Sequence, residues 1–389
     1  MSATAGTRPT VEQLLAAKEI AITCGSGGVG KTTTAAALGT MAAAHLGGKV
    51  LVLAVDPARR LASALGLEAF GNVERRVPVD AFAAAGLEPV GELWLAMLDT
   101  KQSWDDLVRL HAPDEKTRDA ILANPLYTNI TAKFVQSHDY IAMERLFEIH
   151  ASGRYDLVVV DTPPTRHALD FLDAPARMAD FFGSRLLRWL TVPYRSRIVT
   201  VASRPFYQVA DRILGTKFLQ DIAEFFSLFQ TMERGFVSRA RQVSRVLADR
   251  RTTFLVVSTL ETAPLNEAEF FVDALRARRL HLGAFVLNKV LPPSLLDERA
   301  TAASAALRAD AGALADHLAP LVDAPPGRIS GVLTEVADSF HNFQVVAKRE
   351  AEQRAELATA PEVTVSVPYQ DEDIHDLAGL ARLGERLWR

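Results

Sequence analysis

The chain has 389 residues, 49% of them hydrophobic, and a formal net charge of −4. That length suits roughly two to three domains or one elaborated domain, and the near balance of charge offers no global case for binding nucleic acid. A single cysteine, Cys24, excludes an internal disulfide framework and any all-cysteine metal site within one chain.

The opening MSATAGTRPT is polar and lacks the apolar core of a secretory signal. No apolar run reaches the ~20 residues that span a bilayer, so a cytoplasmic protein is expected. VEQLLAAK (11–18) reads as a short helix and EIAITC (19–24) as a buried strand. After a glycine-rich loop comes the alanine-rich helical stretch TTAAALGTMAAAHLG (33–47), then a second buried strand, KVLVLAVD (49–56). This order is the unit of a parallel sheet. Further apolar strands are expected at LWLAMLD (93–99), YDLVVVD (155–161), TFLVVST (253–259), LGAFVLN (282–288) and VTVSVP (363–368). Helical patterns separate most of them, which predicts an α/β fold with a mostly parallel sheet covered by helices on both faces.

The alternation breaks between Leu169 and Ala248, where apolar-periodic helix replaces strand and Phe171, Phe181, Phe182, Phe206, Phe218, Phe225, Phe226, Phe229 and Phe236 accumulate. The expected organisation is a phosphate-loop core built from residues 1–167 and 251–389, with a helical subdomain at 168–250 inserted in it. The stretch from Ser294 to Leu357 is alanine-rich and helical.

GSGGVGKT (25–32) satisfies G-x-x-x-x-G-K-[ST] between a strand and a helix, the setting in which that spacing binds phosphate. The glycines let the backbone curl, so that the N–H groups of Gly27, Gly28, Val29, Gly30, Lys31, Thr32 and Thr33 converge on phosphate oxygens, helped by the positive helix end. Lys31 is expected on the β- and γ-phosphates and the Thr32 hydroxyl on Mg²⁺. Asp161, closing the strand YDLVVVD, is the expected magnesium carboxylate. It is followed by TPPTRH, a loop placed to sense the γ-phosphate. Asp56, ending the neighbouring strand, has the same geometry and suits orientation of the attacking water; a helix cap or turn aspartate fits it equally. Asn288 ends its strand with an amide that complements an adenine edge, or satisfies a turn. The Asn288–Lys289 pair begins like a guanine-reading motif, but Leu291 stands where the carboxylate belongs, which favours ATP.

GSGGVGKTTT, VDPARRLASALG, DLVVVDTPPTRHALDFL and VLNKV, in that order, resemble the arsenical-pump and guided-entry (tail-anchored protein targeting) ATPases, a class with a deviant phosphate loop. The likeness spans most of the chain. It implies ATP-driven opening and closing of a dimer, as a homodimer or as a heterodimer with a related ATPase subunit, with Mg²⁺ as cofactor. It implies that Asp56 positions the hydrolytic water, that residues 161–167 form a second switch, and that Asn288 and the backbone near Pro368 hold adenine. It also implies a hydrophobic client or a membrane-protein partner for the helical subdomain, with a peripheral membrane location as a variant.

Three departures stand out. The family's signature lysine, which crosses the dimer, is replaced by Ser26. A partner subunit supplies that cation, or Arg166 or Arg59 substitutes for it (both also fit ordinary exposed arginines), or the chain hydrolyses poorly and serves as a nucleotide-binding subunit of a heterodimer. The zinc-binding cysteine pair of the targeting factors is missing, so no zinc is expected, and so is the arsenite-binding cysteine cluster. Most rings of the helical block read as core rather than groove. Arg185, Arg188, Arg195, Arg197 and Arg204, interleaved with Trp189, Tyr194, Phe206 and Tyr207, suit either a solvated face or an anionic surface, the latter in keeping with a membrane-surface positioning ATPase. The terminal DIHDLAGLARLGERLWR, with Ile374, Leu377, Leu380, Leu383 and Leu387 at helical spacing, reads as a docked helix.

Overall fold

The computed structural model describes residues 9–55, 62, 65, 67, 72–127, 135–163, 172–174, 176–177, 180, 224–357, 361–370 and 372–388. Eight strands, β1 (Ile20–Cys24), β2 (Lys49–Ala54), β3 (Arg75–Arg76), β4 (Glu92–Met97), β5 (Leu157–Asp161), β6 (Thr252–Ser258), β7 (Leu282–Val290) and β8 (Val363–Pro368), form one sheet. Its order is β3-β4-β2-β5-β1-β6-β7-β8. All neighbours pair in parallel except β3 with β4. The seven strands expected from sequence are all present. The two-residue β3 was not foreseen, because two residues carry no periodicity; its exposed arginines blunt the sheet edge.

The helices, among the described residues, are α1 (Val11–Ala16), α2 (Lys31–His45), α3 (Val79–Ala84), α4 (Thr100–His111), α5 (Glu115–Ala123), α6 (Val135–Ala151), α7 (Glu233–Leu247), α8 (Thr262–Ala277), α9 (Glu298–Ala309), α10 (Ala311–Val322), α11 (Pro326–Glu356) and α12 (Leu377–Trp388). Central strands such as β1, β5 and β6 are buried along their whole length, because both faces of a parallel sheet are covered. One face carries Trp104, Leu107, Tyr140, Phe236, Val243, Phe271 and Leu275 from α4, α6, α7 and α8. The other carries Leu14, Ala35, Leu38, Met41, Leu380 and Leu387 from α1, α2 and α12. Because α2 lies between the sheet and α12, it is buried nearly all round, and small side chains are what let it fit: a methyl at Gly39 would run into Val52, and one at Gly384 into Met41. The terminal helix docks as expected, with Leu377, Leu380, Leu383 and Leu387 buried.

Most of the segment 168–250 lies outside the described residues, including Phe171, Phe181, Phe182, Phe206, Phe218 and the arginine–aromatic run from Arg185 to Tyr207. Residues 224–250 are described, and here the rings form core. Phe225 and Phe229 stack at 5.2 Å, Phe229 lies 5.5 Å from Phe236, and Phe236 packs on Trp104 at 6.3 Å.

Between β7 and β8 the chain makes a helical hairpin. α9 and α10 run antiparallel to α11, and are tied to it by Ser304 Oγ donating to the Ala337 carbonyl at 3.2 Å and by an Arg308–Asp338 ion pair at 3.0 Å. The 31-residue α11 buries only Ala337, Gln344 and Ala347, and Val332, Val336, Phe343 and Val346 are exposed. No described helix is long and apolar enough to cross a membrane.

Candidate active site

Parallel pairing of β1 with β5 sets Thr23 beside Asp161. Thr23 Oγ1 donates to the Val160 carbonyl at 3.0 Å and Thr162 Oγ1 to the Thr23 carbonyl at 2.7 Å, which locks the two strand ends together. The phosphate loop leaves β1 at the carboxyl edge of the sheet, where ligands of open α/β folds bind. Gly25 is required for close approach, since a Cβ there would collide with the Val257 carbonyl of β6. Gly30 ends the loop at φ 96°, a left-handed conformation that glycine adopts without steric cost.

Geometry brings four expected residues together. Thr32 Oγ1 donates to Asp161 Oδ2 at 2.5 Å, across 129 positions of sequence. Lys31 Nζ reaches back over the loop to the Ser26 carbonyl at 2.9 Å. Asn288, from the end of β7, donates through Nδ2 to the Val29 carbonyl at 2.8 Å, and its Oδ1 accepts from the Lys289 N–H at 2.9 Å. Among the described residues, these bonds use one amide hydrogen and one oxygen lone pair of Asn288. Pro368 pairs with Val290 of the same strand, so both residues expected at adenine lie at the ends of adjoining strands. Asp56, Arg59, Arg166 and His167 lie outside the described residues; Val55, just before Asp56, donates its N–H to the Asp161 carbonyl at 3.2 Å.

Gly27 and Gly28 are exposed, whereas Val29 and Lys31 are buried and Gly30, Thr32 and Thr33 half-buried. Ser26 is buried, with no hydrogen-bond partner for its hydroxyl among the described residues. Cys24 is a buried core residue whose thiol is pushed up to about 12 by desolvation.

One participant escaped the sequence reading. Lys289 has φ 57° and its Nζ donates to the Gly28 carbonyl at 3.1 Å. The Asn288–Lys289 pair was visible as a motif fragment, but nothing local shows that the second residue touches a loop 261 positions away.

A carboxylate and a hydroxyl beneath a curled loop of N–H groups are hard oxygen donors suited to Mg²⁺, with a lysine alongside for phosphate. The sequence model of a family described as anion-transporting ATPase matches residues 18–309. The chain is similar to an ATPase ASNA1 homolog of Entamoeba dispar, at 26% identity over 69% of this chain and 75% of that protein. It is similar to ATPase GET3 of Podospora anserina, at 24% identity over 73% and 77%. A putative arsenical pump-driving ATPase 2 of Aquifex aeolicus is 23% identical over 70% and 81%.

Proposed function

We propose, from the premise that this chain belongs to the anion-transporting ATPase family and is an ATPase, that it works as an ATP-driven switch. Two copies, or one copy and a related subunit, close over ATP and open after hydrolysis, and the change is passed to a hydrophobic client or a membrane partner. The observation that carries this reading is the Thr32–Asp161 contact under a loop whose lysine already spans it. Thr32 and Asp161 would hold Mg²⁺, which would supply positive charge to offset that of the phosphates. The loop amides from Gly27 to Thr33 bind phosphate oxygens, and Lys31 turns from Ser26 to the γ-phosphate as ATP enters. Asp56 orients the attacking water, Arg166 supplies a cation, and Asn288 with the Pro368 backbone receives adenine. A cytoplasmic setting, reducing and rich in ATP, suits a chain whose only cysteine is a buried free thiol.

Ser26 supports a second reading. A buried, uncharged side chain at the signature position suits a subunit that binds nucleotide and relies on a partner's lysine for turnover. Steady-state ATP hydrolysis by the purified chain across a dilution series, beside Lys31→Ala and Asp161→Asn, separates the two. Turnover per chain that rises with concentration and drops by roughly 10²–10³ in each variant supports the self-sufficient switch. Tight ATP binding without turnover points to the dependent subunit, and no ATP binding at all sinks both.

A further inference from the structure

Building on that nucleotide site, we propose that Lys289 is a positioning residue that aims the phosphate loop, acting on its peptide planes and not on the base. Two consecutive side chains of β7 meet two consecutive loop carbonyls. Lys289 Nζ donates to Gly28 O at 3.1 Å and Asn288 Nδ2 donates to Val29 O at 2.8 Å. A peptide group is planar and trans, so its carbonyl and the following N–H point in opposite directions. Holding the Gly28 and Val29 carbonyls toward β7 therefore turns the N–H groups of Val29 and Gly30 to the other side of the loop, where phosphate oxygens bind.

The strand is shaped for this contact. Pairing of β7 with β8 slips between Leu287 and Val290, and an irregularity of that kind re-aims side chains at a strand end. Lys289 adopts φ 57°, an unfavourable backbone conformation for a side chain with a Cβ. The hydrogen bond from its own N–H to Asn288 Oδ1 at 2.9 Å holds that turn. At Gly30 a Cβ would strike the Asn288 amide, so the loop glycine and the β7 latch fit each other. A cradle held this way is ordered before the nucleotide arrives, which lowers the ordering cost of binding.

The test is calorimetric titration of the full chain with ATP and with inorganic tripolyphosphate, both with Mg²⁺, in wild type, Lys289→Met and Lys289→Arg. The latch predicts that Lys289→Met weakens both ligands by the same factor, roughly ten- to a hundredfold for one charge-assisted bond. The loss persists at high salt, Lys289→Arg restores part of it, and amide hydrogen exchange at Val29 and Gly30 quickens in the methionine variant without ligand. A loss confined to ATP would assign Lys289 to the base and overturn the proposal. A loss that disappears at high salt would reduce it to charge attraction and overturn it too. If the wild type binds neither ligand, the nucleotide-site reading itself fails, an outcome distinct from a failed latch.

Discussion

Burial decides the chemistry of Cys24. The thiol sits at the end of β1, among apolar strands, and desolvation pushes it up to about 12. At pH 8 it stays protonated, and the thiolate is the form that reacts. Native protein is therefore expected to resist an aromatic disulfide reagent at pH 8 for as long as it stays folded, and to react once guanidinium unfolds it. Rapid labelling of folded protein would show that the β1 end opens. A buried strand cysteine was legible in EIAITC, because five consecutive apolar or small residues mark a central strand. The depth of burial was not, since it depends on β5 and β6 closing on either side of β1.

At the scale of elements, α6 and α7 are joined by an ion pair inside the apolar layer. Glu144 meets Arg239 at 2.5 Å, Tyr140 donates to Glu144 at 3.3 Å, and the Arg239 guanidinium lies 4.5 Å from the Phe147 ring centroid. Burial raises the Glu144 carboxyl above its ordinary value, with Arg239 pulling the other way. A raised carboxyl favours the fold at pH below the ordinary carboxylate value and loses that advantage as pH rises through the shifted one. When Glu144 ionises inside this layer, Arg239 is the cation that offsets its buried charge. Arg239→Met is expected to cost about 3–5 kcal/mol in urea unfolding at pH 7. Adding Glu144→Gln to it should recover most of the loss, and a double variant no more stable than the single would refute the pairing. From the sequence, Arg239 is one arginine among several on α7, and only packing against α6 singles it out. The docking of α12, by contrast, was readable from its leucine spacing together with acids leading and arginines trailing along it.

For the whole molecule, the proposed dimer raises the question of which cation would act where this chain has Ser26 and the family it resembles has a lysine. Ser26 is buried in this chain, so nothing at that position extends toward a partner. Ser26→Lys is expected to raise turnover by about tenfold or more, with a steeper dependence on protein concentration, if closure of a dimer brings the new lysine to the opposite site. Unchanged turnover with unchanged melting temperature would mean that another group, Arg166 foremost, already fills the role. The hairpin from α9 to α11 belongs to this scale as well. It lies largely beyond the matched residues 18–309, and its alanine-rich composition conceals a row of exposed apolar side chains on α11. Composition counts residues, whereas exposure depends on which face of α11 the α9–α10 arm covers.

Features whose physics is local were legible in the chain. Strand runs, the glycine spacing of the loop, the helix that follows it and the amphipathic terminal helix were all readable, because each depends on neighbours a few positions apart. The long-range pairings depend on the closed fold. Sheet order brings Asp161 to Thr32 and the end of β7 to the phosphate loop, and interlayer packing selects Arg239 for Glu144. These contacts join residues far apart in the chain, and their energy comes from burial and from hydrogen bonds that exist only once the sheet has closed.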